Sequence, residues 1–235
     1  MTGEIIVVTG AAGALGSTLV RALIARGDAV AALDTPRSGQ RLSALAQELG
    51  PRVLPFAIDV THEWSTVLGQ IESTLGAPTG AALIAGGWQG GTPLHAATDD
   101  TVFEQMHAAN LETVYRTLRA LLPGMVARRR GSVVVVGSRA VERPWESAGA
   151  AAYAAAKAGV VALARTAAAE TLEHGVRINA VLPSTIDTPA NRAAMPDADP
   201  TRWVSQDSLA QVIAFLLSNA ARDVTGATLP VYGRV

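Results

Sequence analysis

The sequence predicts an α/β fold in which about seven parallel strands form one doubly wound sheet with helices on both faces. Apolar runs recur along the chain and are mostly separated by segments of helix length, which is the pattern of alternating strands and helices. Hydrophobic residues make up 49% of the chain and aromatic residues only 4%. That balance suits parallel strands covered by closely packed helices.

The predicted strands are almost continuously apolar, as in the four valines at 133–136, because strands of a parallel sheet are buried on both faces. Their predicted bounds are 4–9, 29–34, 53–58, 81–85, 132–137, 176–182 and 227–231. We expect a single domain over residues 1–235, a common length for one α/β domain. Prolines interrupt the alternation at 183–204, which predicts an excursion over the carboxyl edge of the sheet, where ligands bind.

A glycine-rich loop follows the first predicted strand. Gly10, Gly13 and Gly16 stand three residues apart, directly before leucines at helical spacing. Such glycines let the backbone approach a pyrophosphate, whose charge meets the free N–H groups at the start of the helix. The alternative is an ordinary strand-to-helix turn, but the strand, loop, helix and strand order favours a phosphate-binding loop.

The second predicted strand ends in a carboxylate, Asp34. A carboxylate about 20 residues past the glycines accepts hydrogen bonds from the adenosine ribose hydroxyls and repels a 2′-phosphate. Neither Ala12 nor Thr35 offers a cation for such a phosphate. The sequence therefore favours NAD(H) over NADP(H), while Arg37 and Arg41 leave the strictness of that preference open.

Composition and charge exclude several other classes. The formal net charge is −1, so nothing attracts nucleic acid electrostatically. Cysteine is absent and no secretion signal is visible, so we expect a cytoplasmic protein without thiolate chemistry. The uncharged stretch at 77–98 is broken by glycines and Pro93, which argues against a membrane span. The four histidines lack ligand spacing, so no metal site is expected.

Tyr153 and Lys157 stand four residues apart in an alanine-rich helical segment, and therefore share one helix face. A tyrosine hydroxyl has an ordinary pKa of about 10. A neighbouring ammonium, joined by an oxidised nicotinamide that also carries positive charge, favours the phenolate, and so makes tyrosine a usable acid or base near neutral pH. Such a pair alone is more often an ordinary surface pair, so its neighbours decide its meaning.

Two further polar residues, Ser138 and Asn110, are candidates for an active site. Ser138 directly follows the predicted strand 132–137, where its hydroxyl could hold a substrate oxygen or only form a turn. Asn110 falls in the middle of a helical segment, where asparagine is disfavoured unless its amide serves something local. We expect Asn110 to kink that helix and hold a water.

Together these motifs resemble the short-chain dehydrogenase/reductase family over essentially the full chain. Residues 9–16 match the family's glycine loop, with Ala14 where many members have glycine. The resemblance implies a Rossmann-like oxidoreductase domain that transfers hydride between a nicotinamide cofactor and a small carbonyl or quinonoid substrate. Four residues match the catalytic tetrad: Asn110, Ser138, Tyr153 and Lys157. The implied cofactor-binding residues are Gly10, Gly13, Leu15, Gly16, Asp34, Asp59, Val60, Ala85, Gly86, Gly87, Tyr153, Lys157, Pro183, Ile186 and Thr188.

The resemblance also implies a role for each catalytic residue. Tyr153 would exchange a proton with the substrate, and Lys157 would bind the nicotinamide ribose and lower the pKa of Tyr153. Ser138 would steady the developing oxyanion, and Asn110 would position a water that links Lys157 to solvent. By the same likeness, the helices around Tyr153 and Asn110 would pair in a homodimer or homotetramer.

Two longer stretches, 85–91 and 181–196, are similar to dihydropteridine reductases. That likeness implies a flat quinonoid or carbonyl-bearing ring as substrate, with Trp88 and residues 191–203 near it. Trp88 could equally only pack under a glycine-rich loop. Ser138 departs from that pattern, which has alanine there, and the substrate stays open. The alternative from another class is a catalytically silent dinucleotide sensor or scaffold, which could dispense with the tetrad present here.

Overall fold

The computed structural model describes residues 3–62 and 64–234. Seven strands lie in the described ranges: β1 (Ile5–Thr9), β2 (Ala29–Asp34), β3 (Val53–Ala57), β4 (Gly80–Leu83), β5 (Gly131–Val136), β6 (Val176–Pro183) and β7 (Thr228–Val231). They form one sheet in the order β3-β2-β1-β4-β5-β6-β7, and every neighbouring pair is parallel. The predicted doubly wound sheet is confirmed. The strand order reverses between β1 and β4, which is where such sheets bind ligands.

Helices connect the strands: α1 (Ala14–Arg26), α2 (Gly39–Leu49), α3 (Trp64–Thr74), α4 (Thr101–Met106), α5 (Thr113–Ala127), α6 (Ala151–Thr171), α7 (Pro189–Ala194) and α8 (Gln206–Leu217). A π-helical turn, His107–Glu112, joins α4 to α5. In the described ranges, no helix combines the length and the apolar character that crossing a bilayer requires.

The core has two parts, one on each face of the sheet. Because successive side chains of a strand point to opposite faces, β1 sends Ile6 and Val8 to one part and Val7 to the other. Helices α1, α2 and α8 contribute to the first part. Helices α3, α5 and α6 contribute to the second. Burial on both faces explains the unbroken valine run in β5, every residue of which is buried.

Strand β4 is shorter than predicted and ends at Leu83, so Ala85 lies beyond it. The backbone N–H of Ala85 donates to the Thr9 hydroxyl over 3.2 Å rather than to a neighbouring strand. After β6 the chain leaves the sheet, forms α7 and a short turn at Pro200–Arg202, and reaches α8. Ile186 and Val204 pair as an isolated parallel bridge that closes this segment.

Candidate active site

The glycine loop connects β1 to α1 at the carboxyl edge of the sheet. Gly13 is the N-cap of α1, which has no side-chain cap and no acidic residue in its first turn. A Cβ at Gly16 would lie 2.0 Å from the Gly10 carbonyl oxygen, so only glycine fits there. The first-turn N–H groups lack intrahelical partners, and with the helix dipole they suit a phosphate group. Leu15 is buried in the core, which leaves its backbone for a ligand.

The carboxylate of Asp34, at the end of β2, is attached to the glycine loop. Its Oδ2 accepts a hydrogen bond of 2.9 Å from the Ala12 N–H, and its Oδ1 accepts one of 2.8 Å from the Thr35 N–H. Asp34 therefore holds a negative charge beside the loop and also fixes the shape of the loop. Arg41 donates to the Ser38 hydroxyl over 2.8 Å, so one nearby cation is held in the turn after β2.

Asp59 and Val60 follow β3 at the same edge. The Asp59 carboxylate accepts from the backbone N–H and the hydroxyl of Thr61, at 2.9 and 2.7 Å, and the hydroxyl and then the N–H lower the pKa of Asp59. Val60 is buried, and its carbonyl accepts 2.7 Å from the Trp64 indole N–H. The pair forms a rigid corner beside β2, where Ile58 N–H donates to the Asp34 carbonyl over 2.8 Å.

Asn110 lies in the π-helical turn and is fully buried. Its amide bonds to the Gly87 backbone in both directions, donating to the carbonyl over 3.1 Å and accepting from the N–H over 3.3 Å. It also donates to the Met106 carbonyl over 3.0 Å. The expected local disturbance of the helix is thus a π-turn, and the amide holds the loop after β4. No side-chain hydrogen bond joins Asn110 to Lys157 in the described residues.

Gly86 separates Asn110 from Lys157. A Cβ at Gly86 would lie 2.6 Å from Asn110 Oδ1 and 3.4 Å from Lys157 Nζ. A larger residue would therefore push these side chains apart. The loop Ala85–Gly87 brings the asparagine of one helical segment close to the lysine of another.

Ser138, Tyr153 and Lys157 come together beyond the end of β5. Ser138 is buried, and its Oγ accepts 3.2 Å from the Ala140 N–H, so it caps a short helical turn at Arg139–Val141 and leaves its own hydroxyl proton to donate. Lys157 is buried on α6 and donates 2.8 Å to the Val136 carbonyl. Its Nζ lies 5.9 Å from the centroid of the Tyr153 ring.

In the protein alone, burial shifts the pKa of both members of the pair. Burial raises the pKa of Tyr153, and the Ser138 hydroxyl lowers it only in part. Burial also lowers the pKa of Lys157 to about 8. The lowered tyrosine pKa expected from the sequence is therefore not a property of the protein alone, because desolvation of the phenolate outweighs the neighbouring groups.

The segment after β6 lies on the same edge. Ser184 donates from its hydroxyl to the Tyr232 carbonyl over 2.6 Å, which holds the chain beyond Pro183 close to the C-terminal residues. Thr188 caps α7 by accepting 3.1 Å from the Asn191 N–H, and Asn191 donates 2.8 Å to the Ile186 carbonyl. Ile186 and Thr188 are therefore held in one compact turn.

Three contacts at the site lie outside the sequence predictions: the Val136 carbonyl that holds Lys157, the Thr9 hydroxyl, and Gln206. Gln206 begins α8 and donates 2.7 Å to the Asp187 carbonyl, which ties that helix to the segment after β6. A polar residue at the first position of a helix is its only local signal. Among the described residues, no three His, Asp or Glu side chains cluster as a metal site would require.

A parallel sheet with a glycine loop and a tyrosine–lysine pair at its carboxyl edge is typical of dinucleotide-dependent oxidoreductases. The sequence profile of the short chain dehydrogenase family matches residues 4–199. The protein therefore belongs to the short-chain dehydrogenase/reductase family and is an NAD(P)-dependent oxidoreductase.

Individual relatives agree with this assignment. The chain is 31% identical over 245 residues to the 3-oxoacyl-[acyl-carrier-protein] reductase FabG of Pseudomonas aeruginosa, covering 99% of this chain and 97% of that protein. An oxidoreductase of the same family from Burkholderia thailandensis superposes with a TM-score of 0.85 at 34% identity, covering 99% and 92% of the two chains. A 3-oxoacyl-[acyl-carrier protein] reductase from Brucella melitensis with bound NAD has a TM-score of 0.84 at 26% identity, covering 99% and 90%.

Proposed function

We propose that this enzyme prefers NAD(H) and reduces a small carbonyl or quinonoid compound, with Tyr153 as the proton donor. The observation that carries the proposal is the meeting of Ser138, Tyr153 and Lys157 beyond β5. A buried ammonium and a serine hydroxyl both flank one phenol, next to a loop edge suited to a dinucleotide.

The residues at the edge fit an NAD molecule. The uncapped N-terminus of α1 suits the pyrophosphate, and the Asp34 carboxylate suits the adenosine ribose. Asp59 and Val60 would border the adenine, while Ala85–Gly87 and the turn from Pro183 to Thr188 would border the nicotinamide half. The bound cofactor supplies or accepts the hydride.

The protein's own groups manage the proton and the charge. During reduction of a ketone, Tyr153 gives its hydroxyl proton to the substrate oxygen while the carbonyl carbon gains the hydride, so an alcohol forms. Ser138 donates a hydrogen bond to the oxygen as negative charge develops there. Lys157 keeps two further N–H groups beyond its bond to the Val136 carbonyl, enough to hold a ribose and to favour the phenolate.

Asn110 is proposed to position the water that connects Lys157 with solvent, so that the proton of Tyr153 can be replaced. The proximity of Asn110 Oδ1 and Lys157 Nζ to the same small space around Gly86 supports this role. The two-way bond with Gly87 keeps the amide in one orientation.

Two substrate classes fit the site. Ser138 favours a carbonyl, because a ketone oxygen gains from a hydrogen-bond donor as the oxyanion forms. Trp88, 66% exposed, favours a flat ring as in dihydropteridine reductases, because an exposed indole can stack on it. Its ring approaches the loop at Gly90, beside Gly149 and Ala150, and Ala150 precedes the first turn of α6, which carries Tyr153.

A panel of quinonoid pterins, quinones and ketones, each tested with NADH and with NADPH, tests the proposal through nicotinamide absorbance. We expect turnover of at least one class and a higher kcat/KM with NADH. Tight NADH binding without turnover of any class would instead favour the catalytically silent sensor.

We also propose a homodimer or homotetramer. Phe103 on α4 and Tyr115 on α5 are 55% and 50% exposed, and large exposed apolar side chains on neighbouring helical segments suit a subunit contact. Light scattering after size exclusion should give a multiple of the 24.2 kDa chain mass. A monomer at micromolar concentration would contradict this.

A further inference from the structure

The C-terminal segment Tyr232–Arg234 contacts both loops that border the proposed substrate site. One is the segment after β5, which begins with Ser138, and the other is the segment between β6 and α8. The proposed hydride chemistry makes no use of the Tyr232 side chain.

The side chain of Tyr232 reaches the segment after β5. Its hydroxyl donates 2.5 Å to Glu142 Oε2, and the Arg143 guanidinium carbon lies 5.6 Å from the centroid of its ring. The ring also packs on the second part of the core together with Val141. Burial, and next the hydrogen bond to Glu142, raise the pKa of Tyr232 to about 12, so the phenol stays protonated and keeps donating.

The backbone of the same residue reaches the other loop. The Tyr232 carbonyl accepts 2.6 Å from the Ser184 hydroxyl, and the preceding Val231 carbonyl accepts 3.1 Å from the Ser184 N–H. Two residues on, the Arg234 N–H donates 2.8 Å to the Arg202 carbonyl. Tyr232 therefore joins the two loops through one residue.

The contact with Glu142 lies one short helical turn from Ser138. Ser138 caps the turn Arg139–Val141 with its hydroxyl oxygen, and its carbonyl accepts 3.0 Å from the Val141 N–H. The ion pairs of this segment, from Arg139 and Arg143 to Glu146, stay within it. In the described parts of the chain, the bond from Tyr232 to Glu142 is the only hydrogen bond that a side chain of residues 139–147 makes outside this segment.

We propose that Tyr232 is a positioning residue that acts through Glu142, holding the turn that carries Ser138 so that the Ser138 hydroxyl faces Tyr153. This inference rests on the proposed function, because the position of the Ser138 hydroxyl matters only if that hydroxyl donates to the developing oxyanion. In the described residues, no hydrogen bond joins Tyr232 to Ser138, Tyr153 or the glycine loop. Loss of the Tyr232 hydroxyl should therefore lower kcat and leave cofactor binding unchanged.

The test compares Tyr232→Phe with Ser73→Ala. Phenylalanine keeps the ring against Arg143 and the core and removes only the hydroxyl. Ser73 is exposed on α3, and its hydroxyl donates 3.1 Å to the Gln70 carbonyl of the same helix, so Ser73→Ala controls for the loss of a hydroxyl outside the site. For Tyr232→Phe we expect kcat to fall about fivefold, the size that loss of one charge-assisted hydrogen bond at a partly exposed site supports.

Three further readouts separate positioning from general loosening. The Kd of NADH should stay within about twofold of the wild type, since the pyrophosphate and ribose contacts lie elsewhere. The kcat of Glu142→Gln should fall less than that of Glu142→Ala, because an amide oxygen still accepts a hydrogen bond from the phenol. The double variant Tyr232→Phe with Glu142→Ala should lose no more kcat than Glu142→Ala alone, because the two residues act through one shared hydrogen bond.

Hydrogen exchange of the amides at 139–143 gives a readout that needs no turnover. The exchange should quicken in Tyr232→Phe and not in Ser73→Ala. Unchanged exchange overturns the inference, and so does faster exchange with unchanged kcat. If the wild type reduces none of the panel compounds, the proposed function fails and the positioning role fails with it. An active wild type with an equally active Tyr232→Phe refutes only the inference.

Discussion

The glycine loop is shaped by backbone atoms, whereas the surroundings of Tyr153 are formed mainly by side chains. Between β1 and α1 the shape of the site comes from backbone atoms, such as the Gly10 carbonyl that fills the space where a Gly16 side chain would lie. Beside Tyr153 the site comes from side chains on α6 and after β5, with the loop beyond β4 next to them. The first region is shaped to bind a constant ligand, and the second holds groups whose ionisation can change.

This contrast predicts that each region can be damaged without the other. A change in the catalytic group should stop turnover and spare cofactor binding. A change in the loop should weaken cofactor binding and leave the surroundings of Tyr153 intact.

Tyr153→Phe is expected to have the largest effect. It removes the proton-donating oxygen and nearly keeps the shape, so kcat should fall about a thousandfold, within the range for loss of a general acid. The Kd of NADH, measured by calorimetric titration, should change less than about threefold. Turnover equal to that of the wild type would show that another group donates the proton.

Gly16→Ala should distort the glycine loop. The new Cβ would lie 2.0 Å from the Gly10 carbonyl oxygen, so the loop must move, at a cost of about 3 kcal/mol in the free energy of unfolding. NADH binding should weaken strongly. Denaturant unfolding and titration measure the two effects.

Gly69→Ala is the matched control for this variant. Gly69 lies within α3, and a Cβ there meets nothing within 4 Å. Alanine should therefore stabilise the helix by about 0.5–1 kcal/mol and leave NADH binding unchanged. If both variants behave alike, the close approach at Gly16 does not shape the loop.

The Asp34 carboxylate has two separable roles in the glycine loop. It carries a negative charge, and it accepts a hydrogen bond from the Ala12 N–H. Asp34→Asn keeps an acceptor and removes the charge, whereas Asp34→Ala removes both. Both variants should lower the preference for NADH over NADPH by about tenfold. Only Asp34→Ala should also weaken NADH binding through the loop. An unchanged preference in both would show that the charge does not select the cofactor.

The sequence predicted the fold well because its signals are local. Alternating apolar runs placed all seven strands. Strands β3 and β5 end one residue before the predicted end, and β4 ends two residues before it, since the Ala85 N–H bonds to the Thr9 hydroxyl instead of continuing a strand. The glycine loop, the carboxylate at Asp34 and the Tyr153–Lys157 pair are each readable within a few residues. They needed no knowledge of distant contacts.

The missing parts of the site depend on contacts between distant residues. The bond from Asn110 to Gly87 spans 23 residues, that from Lys157 to the Val136 carbonyl spans 21, and that from Tyr232 to Glu142 spans 90. No periodicity reports such pairs, because they depend on how separate elements pack. The raised pKa of Tyr153 belongs with them, since it follows from burial that only the folded chain defines.

The most direct test of the account is the titration of Tyr153 in the free enzyme and in its NAD⁺ complex, followed by NMR of carbon-13-labelled tyrosine and assigned with Tyr153→Phe. In the free enzyme the pKa of Tyr153 should lie above its ordinary value, because burial disfavours the phenolate. In the complex it should fall below that value, because a second positive charge then joins Lys157 beside the phenol. A Tyr153 pKa that NAD⁺ leaves unchanged or raises would contradict the proposed role of the pair.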